Sequence, residues 1–317
     1  MSSERSQAVG GADLVENAPL SGDRRLARLA RLAILAPMQQ RFLSTLGPSG
    51  FQKLAYREWP GPKGAPTLLC VHGLTRNGRD FDFVAEAMSA HYRVVCPDMA
   101  GRGASDNLPD SAQYNNFRYL ADLAALIARL DVERLDWLGT SMGGILGMLM
   151  AATPGAPIRK LVVNDVGAIV AKAGLERIAG YVGLDPRFDS LDALADSMAA
   201  RFVGSDKLPR ATVLRIAEGG ARKLPDGRYG LAYDPRIADL FKASPPQDVD
   251  LWGFWDRITC PTLLLRGGVS DLLSRDVAEA MTKRGPMAKL VEFAGVGHAP
   301  WLASEDQIAP ARDFLLG

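Results

Sequence analysis

The sequence predicts an α/β protein: a mostly parallel central sheet with helices on both faces and an inserted helical lid. Three observations lead to this fold class. Short apolar runs alternate with longer amphipathic stretches over most of the chain. The run Gly139-Thr140-Ser141-Met142-Gly143 joins an apolar run to a helix-like stretch. Asp271 and His298 follow later apolar runs, so Ser, Asp and His stand in that order, each at a predicted strand end.

Composition is that of a soluble globular chain, with 317 residues of which 47% are hydrophobic. A net charge of +1 and a pI near 7.7 provide neither a basic field for nucleic acid nor an acidic one for cations. Cys70, Cys96 and Cys260 lie in or beside strand-like runs, which favours buried reduced thiols over disulfides or a zinc site. No apolar run approaches 18 residues, so no membrane span is expected.

The N-terminal region differs from the rest of the chain. Residues 1–22 are polar and rich in small residues, and we expect them to be disordered. Residues 23–46 interleave arginines with leucine and isoleucine, which predicts a basic amphipathic helix lying on the protein body or on a membrane surface. Pro37 interrupts their longest uncharged run, unlike a signal peptide. Residues 1–47 are therefore predicted to be an extension, and the default location is cytoplasmic.

The first half of the predicted core runs from residue 48 to residue 166. Continuous apolar strands such as 67–71 are typical of parallel strands that are buried on both faces. Residues 119–130 carry apolar side chains at helical spacing, which predicts an amphipathic helix. The predicted strands are 52–59, 67–71, 92–96, 135–138 and 158–163, and the predicted helices are 79–90, 119–130 and 144–152.

The alternation of strand and helix stops between residues 167 and 245. Helical patterns occur there at 175–182, 191–202 and 211–221, but no buried strand is evident, and Pro245-Pro246 closes the stretch. Strands at 262–265 and 289–293 and helices at 275–282 and 305–316 then complete the core over residues 246–317. We therefore predict that 167–245 is a lid above the strand ends, where such sheets bind ligands.

The run at 139–143 predicts a nucleophile. A serine on a sharp strand-to-helix turn projects its hydroxyl from the top of a sheet, and the flanking glycines permit the turn. Serine needs a base within hydrogen-bond reach. Of three histidines, His91 lies at a solvated turn and His72 precedes Gly73, where backbone shape matters more than proton transfer. His298, in a short loop before the last helix, is the predicted base.

The base needs a carboxylate that orients its ring. We favour Asp271, because its strand is the penultimate one and is adjacent to the strand that carries His298, and we keep Asp165 as the alternative. Two backbone N–H groups are expected to stabilise an oxyanion, those of Met142 after the nucleophile and of Leu74 after His72-Gly73.

Other features of the sequence are candidates for binding a ligand. The glycine-rich loop at 99–106 lacks dinucleotide spacing, and we interpret it as a structural turn held by Asp98 and Arg102. Trp252 and Trp301 either line an apolar pocket or pack in the core. With His72, they are the candidate substrate-binding residues.

Together these motifs resemble the α/β-hydrolase superfamily, specifically its lid-bearing branch of esterases, lactonases and carbon–carbon hydrolases. The resemblance spans about 51–316 and is carried by His72-Gly73, 98–106, Ser141, Gly268 to Asp271 and Gly297-His298. It implies Ser141 as nucleophile, His298 as base, Asp271 as its partner, and Leu74 and Met142 as oxyanion donors. Serine at the turn argues against the dehalogenases and epoxide hydrolases that resemble this family, because those carry aspartate there.

The resemblance implies a cofactor-free serine hydrolase of carboxylic esters or lactones. Carbon–carbon hydrolysis and perhydrolysis are the alternatives within enzymes, and the absence of Gly-Pro-Gly after His72-Gly73 weakens the former. A ligand receptor on the same fold is the alternative outside enzymes. The expected partner is a small molecule, with no nucleic acid or metal and with membrane contact confined to the N-terminal helix.

Overall fold

The computed structural model of the protein describes residues 37–243 and 245–317. The strands are β1 (Gln39–Gly47), β2 (Gly50–Trp59), β3 (Thr67–Val71), β4 (Arg93–Asp98), β5 (Leu135–Thr140), β6 (Ile158–Asn164), β7 (Ile169–Val170), β8 (Ala221–Lys223), β9 (Tyr229–Leu231), β10 (Val249–Asp250), β11 (Thr262–Gly267) and β12 (Lys289–Phe293). The α-helices are α1 (Asp82–Met88), α2 (Asn116–Leu130), α3 (Met142–Ala151), α4 (Lys172–Ala179), α5 (Leu191–Ala199), α6 (Arg210–Gly220), α7 (Asp239–Ala243), α8 (Trp252–Trp255), α9 (Arg275–Met281) and α10 (Glu305–Leu316).

One central sheet organises the described residues. Its strands lie in the order β1-β2-β4-β3-β5-β6-β11-β12. β1 and β2 form an antiparallel hairpin, and β2 also runs antiparallel to β4. Every other neighbouring pair is parallel. The predicted fold class, α/β with a mostly parallel central sheet and helices, is confirmed.

Both faces of the sheet are buried, which explains the continuous apolar runs. Successive side chains of a strand point to opposite faces. In β3, Leu69 and Val71 join a core with α2 and α3, whereas Leu68 and Cys70 join a core with α1 and α10. Because all four are buried, a strand of this kind has no polar alternation.

The N-terminal edge of the sheet differs from one prediction. The expected helix over 23–46 is wrong for residues 39–46, which form β1 and pair with β2 along their whole length. Arg41 is ion-paired to Glu58 of β2 at 2.7 Å, and Thr45 is buried, whereas Phe42 is half exposed. This cross-strand pairing outweighs local helix propensity. The core therefore begins at β1 rather than at residue 48, and the predicted features of residues 1–36 lie outside the described residues.

Between β6 and β11 of the central sheet, the chain forms an insertion that is bounded by β7 and β10, a separate two-stranded pair. Val170 pairs with Val249, so residues 171–248, here called the excursion, begin and end at the same place. Helices α4, α5 and α6 lie near the predicted 175–182, 191–202 and 211–221. α5 and α6 share a small separate core that includes Leu194 and Val213. The excursion also contains β8 and β9, which form a short hairpin that is too exposed to produce an apolar run.

Within residues 37–243 and 245–317, no helix is both long enough and apolar enough to cross a bilayer.

Candidate active site

Ser141 occupies a strained turn between β5 and α3. Its φ is 53° and its ψ is −114°, in the left-handed half of backbone space, where strain costs about 1–3 kcal/mol. Close packing explains the glycines on either side. A Cβ on Gly139 would lie 2.1 Å from the Gly143 carbonyl oxygen, and one on Gly143 would lie 1.9 Å from the Val71 carbonyl oxygen. The turn therefore presents the Ser141 hydroxyl at the carboxyl edge of the sheet.

A chain of hydrogen bonds links Ser141, His298 and Asp165. His298 Nε2 lies 3.0 Å from Ser141 Oγ, and His298 Nδ1 lies 2.8 Å from Asp165 Oδ2. The Asp165 side chain is fully buried, and that of His298 is 9% exposed. Since a carboxylate at Nδ1 accepts that proton, Nε2 is left to accept one from the serine. The arrangement can generate a serine nucleophile.

The Asp165 carboxylate is held at the end of β6 by donors from β11 and its following turn. The Gly267 N–H donates to Oδ1 at 2.7 Å, and the Ser270 hydroxyl donates to Oδ2 at 2.7 Å. These donors compensate for the removal of a carboxylate from water. They also aim it at His298.

The expectation that Asp271 orients His298 is wrong in this structure. Asp271 lies beyond β11, its side chain is 41% exposed, and both its oxygens accept from the Arg177 guanidinium. Partial burial raises the pKa of Asp271, but the hydrogen-bonded Arg177 outweighs it and leaves the pKa below its ordinary value. The alternative, Asp165, contacts the histidine because β6 and β11 are neighbours and the His298 loop reaches over both.

Two polar residues near the site were not singled out from the sequence, Ser270 and Asn164. The Asn164 side chain donates to Thr140 Oγ1 at 3.0 Å and to the Pro300 carbonyl oxygen at 2.9 Å, so it joins the serine turn to the histidine loop. The available signal was that three apolar residues of β6 are followed by Asn164 at its last position and by Asp165 directly after it.

The predicted oxyanion donors lie beside Ser141. Met142 is the first residue of α3, where N–H groups have no partner within the helix. Leu74 is placed by Arg102, whose Nε donates to the Leu74 carbonyl at 2.9 Å, while Arg102 itself is 1% exposed. Arg102 lies in the glycine-rich loop, which the Asp98 carboxylate also anchors by accepting from the Ala104 N–H at 2.9 Å. The loop therefore acts as a structural support, as interpreted from the sequence.

His72 does not contact the pocket, contrary to its selection as a substrate-binding candidate. It is fully buried, its Nδ1 donates to the Gly73 carbonyl at 2.7 Å, and its Nε2 accepts from the Met99 N–H at 2.9 Å. Burial, with the nearby Arg102 charge, lowers the pKa of His72 to about 3. It is a neutral cross-link between two loops, and both its nitrogens are occupied.

The two tryptophan candidates lie in different surroundings. Trp301 packs edge-on against Phe202, with ring centres 5.1 Å apart, and lines the cavity that contains Ser141. Trp252 lies under the Arg284 guanidinium, 4.0 Å from its ring centre, and does not line that cavity. Trp252 packs against the core from α8, so its prediction as a substrate contact is wrong.

Two hollows meet at Ser141. The His298 cavity has an empty volume of about 710 Å³ including its open mouth, and its lining includes His298, Trp301, Tyr181 and Phe202. The apolar groove lies on the Met142 side, and its lining includes Ile145, Phe241, Val249 and Leu272 but not His298. Residues of the excursion contribute to both hollows, so this segment shapes the space around the serine.

The chain as a whole is similar to known proteins. Residues 68–311 match the model of a family described as the alpha/beta hydrolase family. The chain is 42% identical, over 87% of its length and 97% of the relative's, to a 3-hydroxybutyrate-oligomer hydrolase of Cupriavidus necator. It is 24% identical to a pimeloyl-[acyl-carrier protein] methyl ester esterase of Aliivibrio fischeri, over 81% of this chain and 96% of that one.

A solved structure shares the architecture. An alpha/beta hydrolase from Novosphingobium aromaticivorans superimposes with a TM-score of 0.81 and 38% identity, covering 89% of this chain and 99% of that one. The family match over residues 68–311 includes Ser141, Asp165, His298 and the whole excursion.

Proposed function

The chain belongs to the alpha/beta hydrolase family, and on that premise we propose that it hydrolyses carboxylic esters through an acyl-enzyme formed on Ser141. The observation that carries the proposal is the unbroken hydrogen-bond chain from Ser141 Oγ through His298 to the buried Asp165 carboxylate. A serine, an imidazole and a carboxylate in this relation have the geometry of a nucleophile, its base and the group that orients the base.

In the first half of the proposed reaction, Ser141 Oγ attacks the ester carbonyl and gives its proton to His298 Nε2. Asp165 stabilises the resulting imidazolium, and the N–H groups of Leu74 and Met142 receive the oxyanion. The bond between carbon and alkoxy oxygen then breaks, and His298 returns the proton to the leaving alcohol. Water, activated by the same imidazole, releases the acid and restores Ser141.

The substrate class we propose is a linear oligomeric ester of a short hydroxyacid such as 3-hydroxybutyrate. The relative of that activity is 42% identical and is matched over nearly its whole length. The two hollows at Ser141 suit an ester that extends on both sides of its carbonyl. The excursion that lines both acts, in this proposal, as the lid over the bound ester.

The proposal is tested with Ser141→Ala on three substrates: the linear 3-hydroxybutyrate dimer, a p-nitrophenyl ester and a lactone of the same acid. Native enzyme should cleave the linear dimer, and Ser141→Ala should lower kcat by about 10³-fold or more. A fluorophosphonate probe should label native enzyme and not the variant, with matched melting curves as the control for folding. Labelling of Ser141→Ala would remove the nucleophile assignment, hydrolysis of the lactone alone would overturn the substrate class, and a native enzyme inert to ester and probe would favour a ligand receptor.

A further inference from the structure

A third hollow, here called the arginine vestibule, adjoins the His298 cavity. The two share Thr75, Arg76, Tyr181 and Phe202 in their walls. The vestibule is lined by three arginines, Arg76, Arg177 and Arg201, and by no aspartate or glutamate among the residues the structure describes. An arginine beside a reaction centre is suited to bind an anionic part of a substrate if its charge is not already paired.

Among the described residues, two of the three arginines have a carboxylate partner and Arg201 has none. Arg76 donates to both oxygens of Asp80, with its Nε 2.9 Å from Oδ2, and Arg177 is paired with Asp271. For Arg201, no carboxylate of the described residues lies within 4.0 Å.

Tyr181 connects Arg201 to the reaction centre. The Arg201 guanidinium carbon lies 5.7 Å from the centre of the Tyr181 ring, and Tyr181 also lines the His298 cavity. Burial raises the pKa of Tyr181, so its hydroxyl is neutral and does not cancel the arginine charge. The vestibule therefore carries a free positive charge that adjoins the space in front of Ser141.

The proton transfer decides which half of an ester faces this charge. His298 must protonate the leaving oxygen, so the leaving alcohol lies on the side of His298. His298 lines the cavity that adjoins the vestibule but does not line the apolar groove. The alcohol half is thus directed toward the arginines, and the acyl half toward the groove.

In a linear hydroxyacid oligomer, the half that leaves as an alcohol carries the free carboxylate. We propose that Arg201 binds this terminal carboxylate, so that the enzyme cleaves hydroxyacid oligomers from their carboxyl end. This inference rests on the proposed function. The bond changes are those of the ester hydrolysis above: the first product is a hydroxyacid with a free hydroxyl, and the remaining chain stays on Ser141 until water releases it.

The test compares Arg201→Gln with native enzyme on two dimers of 3-hydroxybutyrate, one with a free carboxylate and one with that carboxylate capped as a primary amide. Because a charge-assisted hydrogen bond is lost, the ratio of kcat/KM for the acid to kcat/KM for the amide should fall about tenfold. The native ratio should also fall as salt is raised. Arg257→Gln is the matched control, since Arg257 is also exposed, stacks on Phe254 at 4.9 Å and lies outside the vestibule lining.

Direction of cleavage is read from a trimer whose hydroxyl end is acetylated. Release of free 3-hydroxybutyrate and acetylated dimer as first products supports the inference, and an initial mixture of fragments overturns it. An unchanged acid-to-amide ratio in Arg201→Gln, or an equal fall in Arg257→Gln, also overturns it while leaving the proposed function standing. If native enzyme cleaves neither dimer nor the p-nitrophenyl ester, the proposed function fails and this inference fails with it.

Discussion

Two neighbouring strands of the sheet, β6 and β11, are each followed by an aspartate, and only one of these carboxylates contacts the histidine. Asp165 follows β6 directly, is fully buried, and receives hydrogen bonds from Gly267, Ser270 and His298. Asp271 lies beyond β11, is 41% exposed and is paired with Arg177. Both stand at the same edge of the sheet. Position after a strand is therefore not enough to make a carboxylate the partner of the base.

The two aspartates differ in their surroundings. The negative charge of Asp165 is held away from water, where its interaction with an imidazolium is weakly screened. Its two fixed donors offset the cost of burial and leave one direction open, toward His298 Nδ1. Asp271 is partly solvated and already neutralised by a guanidinium. A carboxylate that is solvated and already paired stabilises an imidazolium only weakly.

The largest expected effect comes from exchanging the two carboxylates for amides, one at a time. Asp165→Asn should lower kcat by about 10³–10⁴-fold, because the amide favours the wrong imidazole tautomer. Asp271→Asn, the matched control after β11, should lower kcat on an uncharged ester by less than about threefold. Steady-state kinetics on a p-nitrophenyl ester measure both. A reversed order of the two effects would show that Asp271 is the partner in solution.

An intermediate effect is expected from Ser270, which we regard as a positioning residue. Ser270→Ala removes a donor from Asp165 Oδ2 and should lower kcat about fivefold, the value of one hydrogen bond. Steady-state kinetics on a p-nitrophenyl ester measure this fall, and a melting curve of the same variant measures any loss of stability.

Ser274→Ala is the control for Ser270→Ala. The Ser274 hydroxyl caps the start of α9 by accepting from the Val277 N–H and has no contact with Asp165. Its loss should lower the melting temperature and leave kcat unchanged. A melting temperature that falls in Ser270→Ala while kcat stays unchanged would assign that serine a purely structural role.

The smallest effect is expected for the partly exposed ion pair of Asp271 and Arg177. The Arg177 bond holds the pKa of Asp271 below its ordinary 3.8, so the pair stabilises the fold above pH 3.8 and loses that contribution as pH falls through the lowered value. Because both side chains are about 40% exposed, Arg177→Gln should cost only about 0–1 kcal/mol at pH 7 and less at pH 3. Urea unfolding at the two pH values measures this, and a cost that grows on acidification would contradict the assignment.

Much of the fold was predictable because parallel strands and the serine turn leave strong local patterns. β3 must be apolar throughout since both its faces are covered, and Gly139 and Gly143 are required by backbone contacts within the turn itself. His298 was identified because, of three histidines, only this one follows a late strand in a loop. These are properties of short segments or of chain order, which the sequence displays directly.

The errors arose where a residue's role depends on distant neighbours. Residues 39–47 form a strand because β2 offers a partner, and Asp165 meets His298 across 133 positions of the chain. His72 and Trp252 were misassigned for the same reason: neither the Met99 N–H that binds His72 nor the Arg284 guanidinium that covers Trp252 is near in sequence.

The sequence by itself determined the fold class, the serine turn and the histidine, because each depends on periodicity, on steric limits within a few residues or on a residue type that is rare in this chain. Only the tertiary structure decided between Asp165 and Asp271. Both follow parallel strands and both are acids, so no local pattern separates them. Burial, the two donors from β11 and its turn, and the approach of the His298 loop all arise from packing, and these set which carboxylate can orient an imidazole.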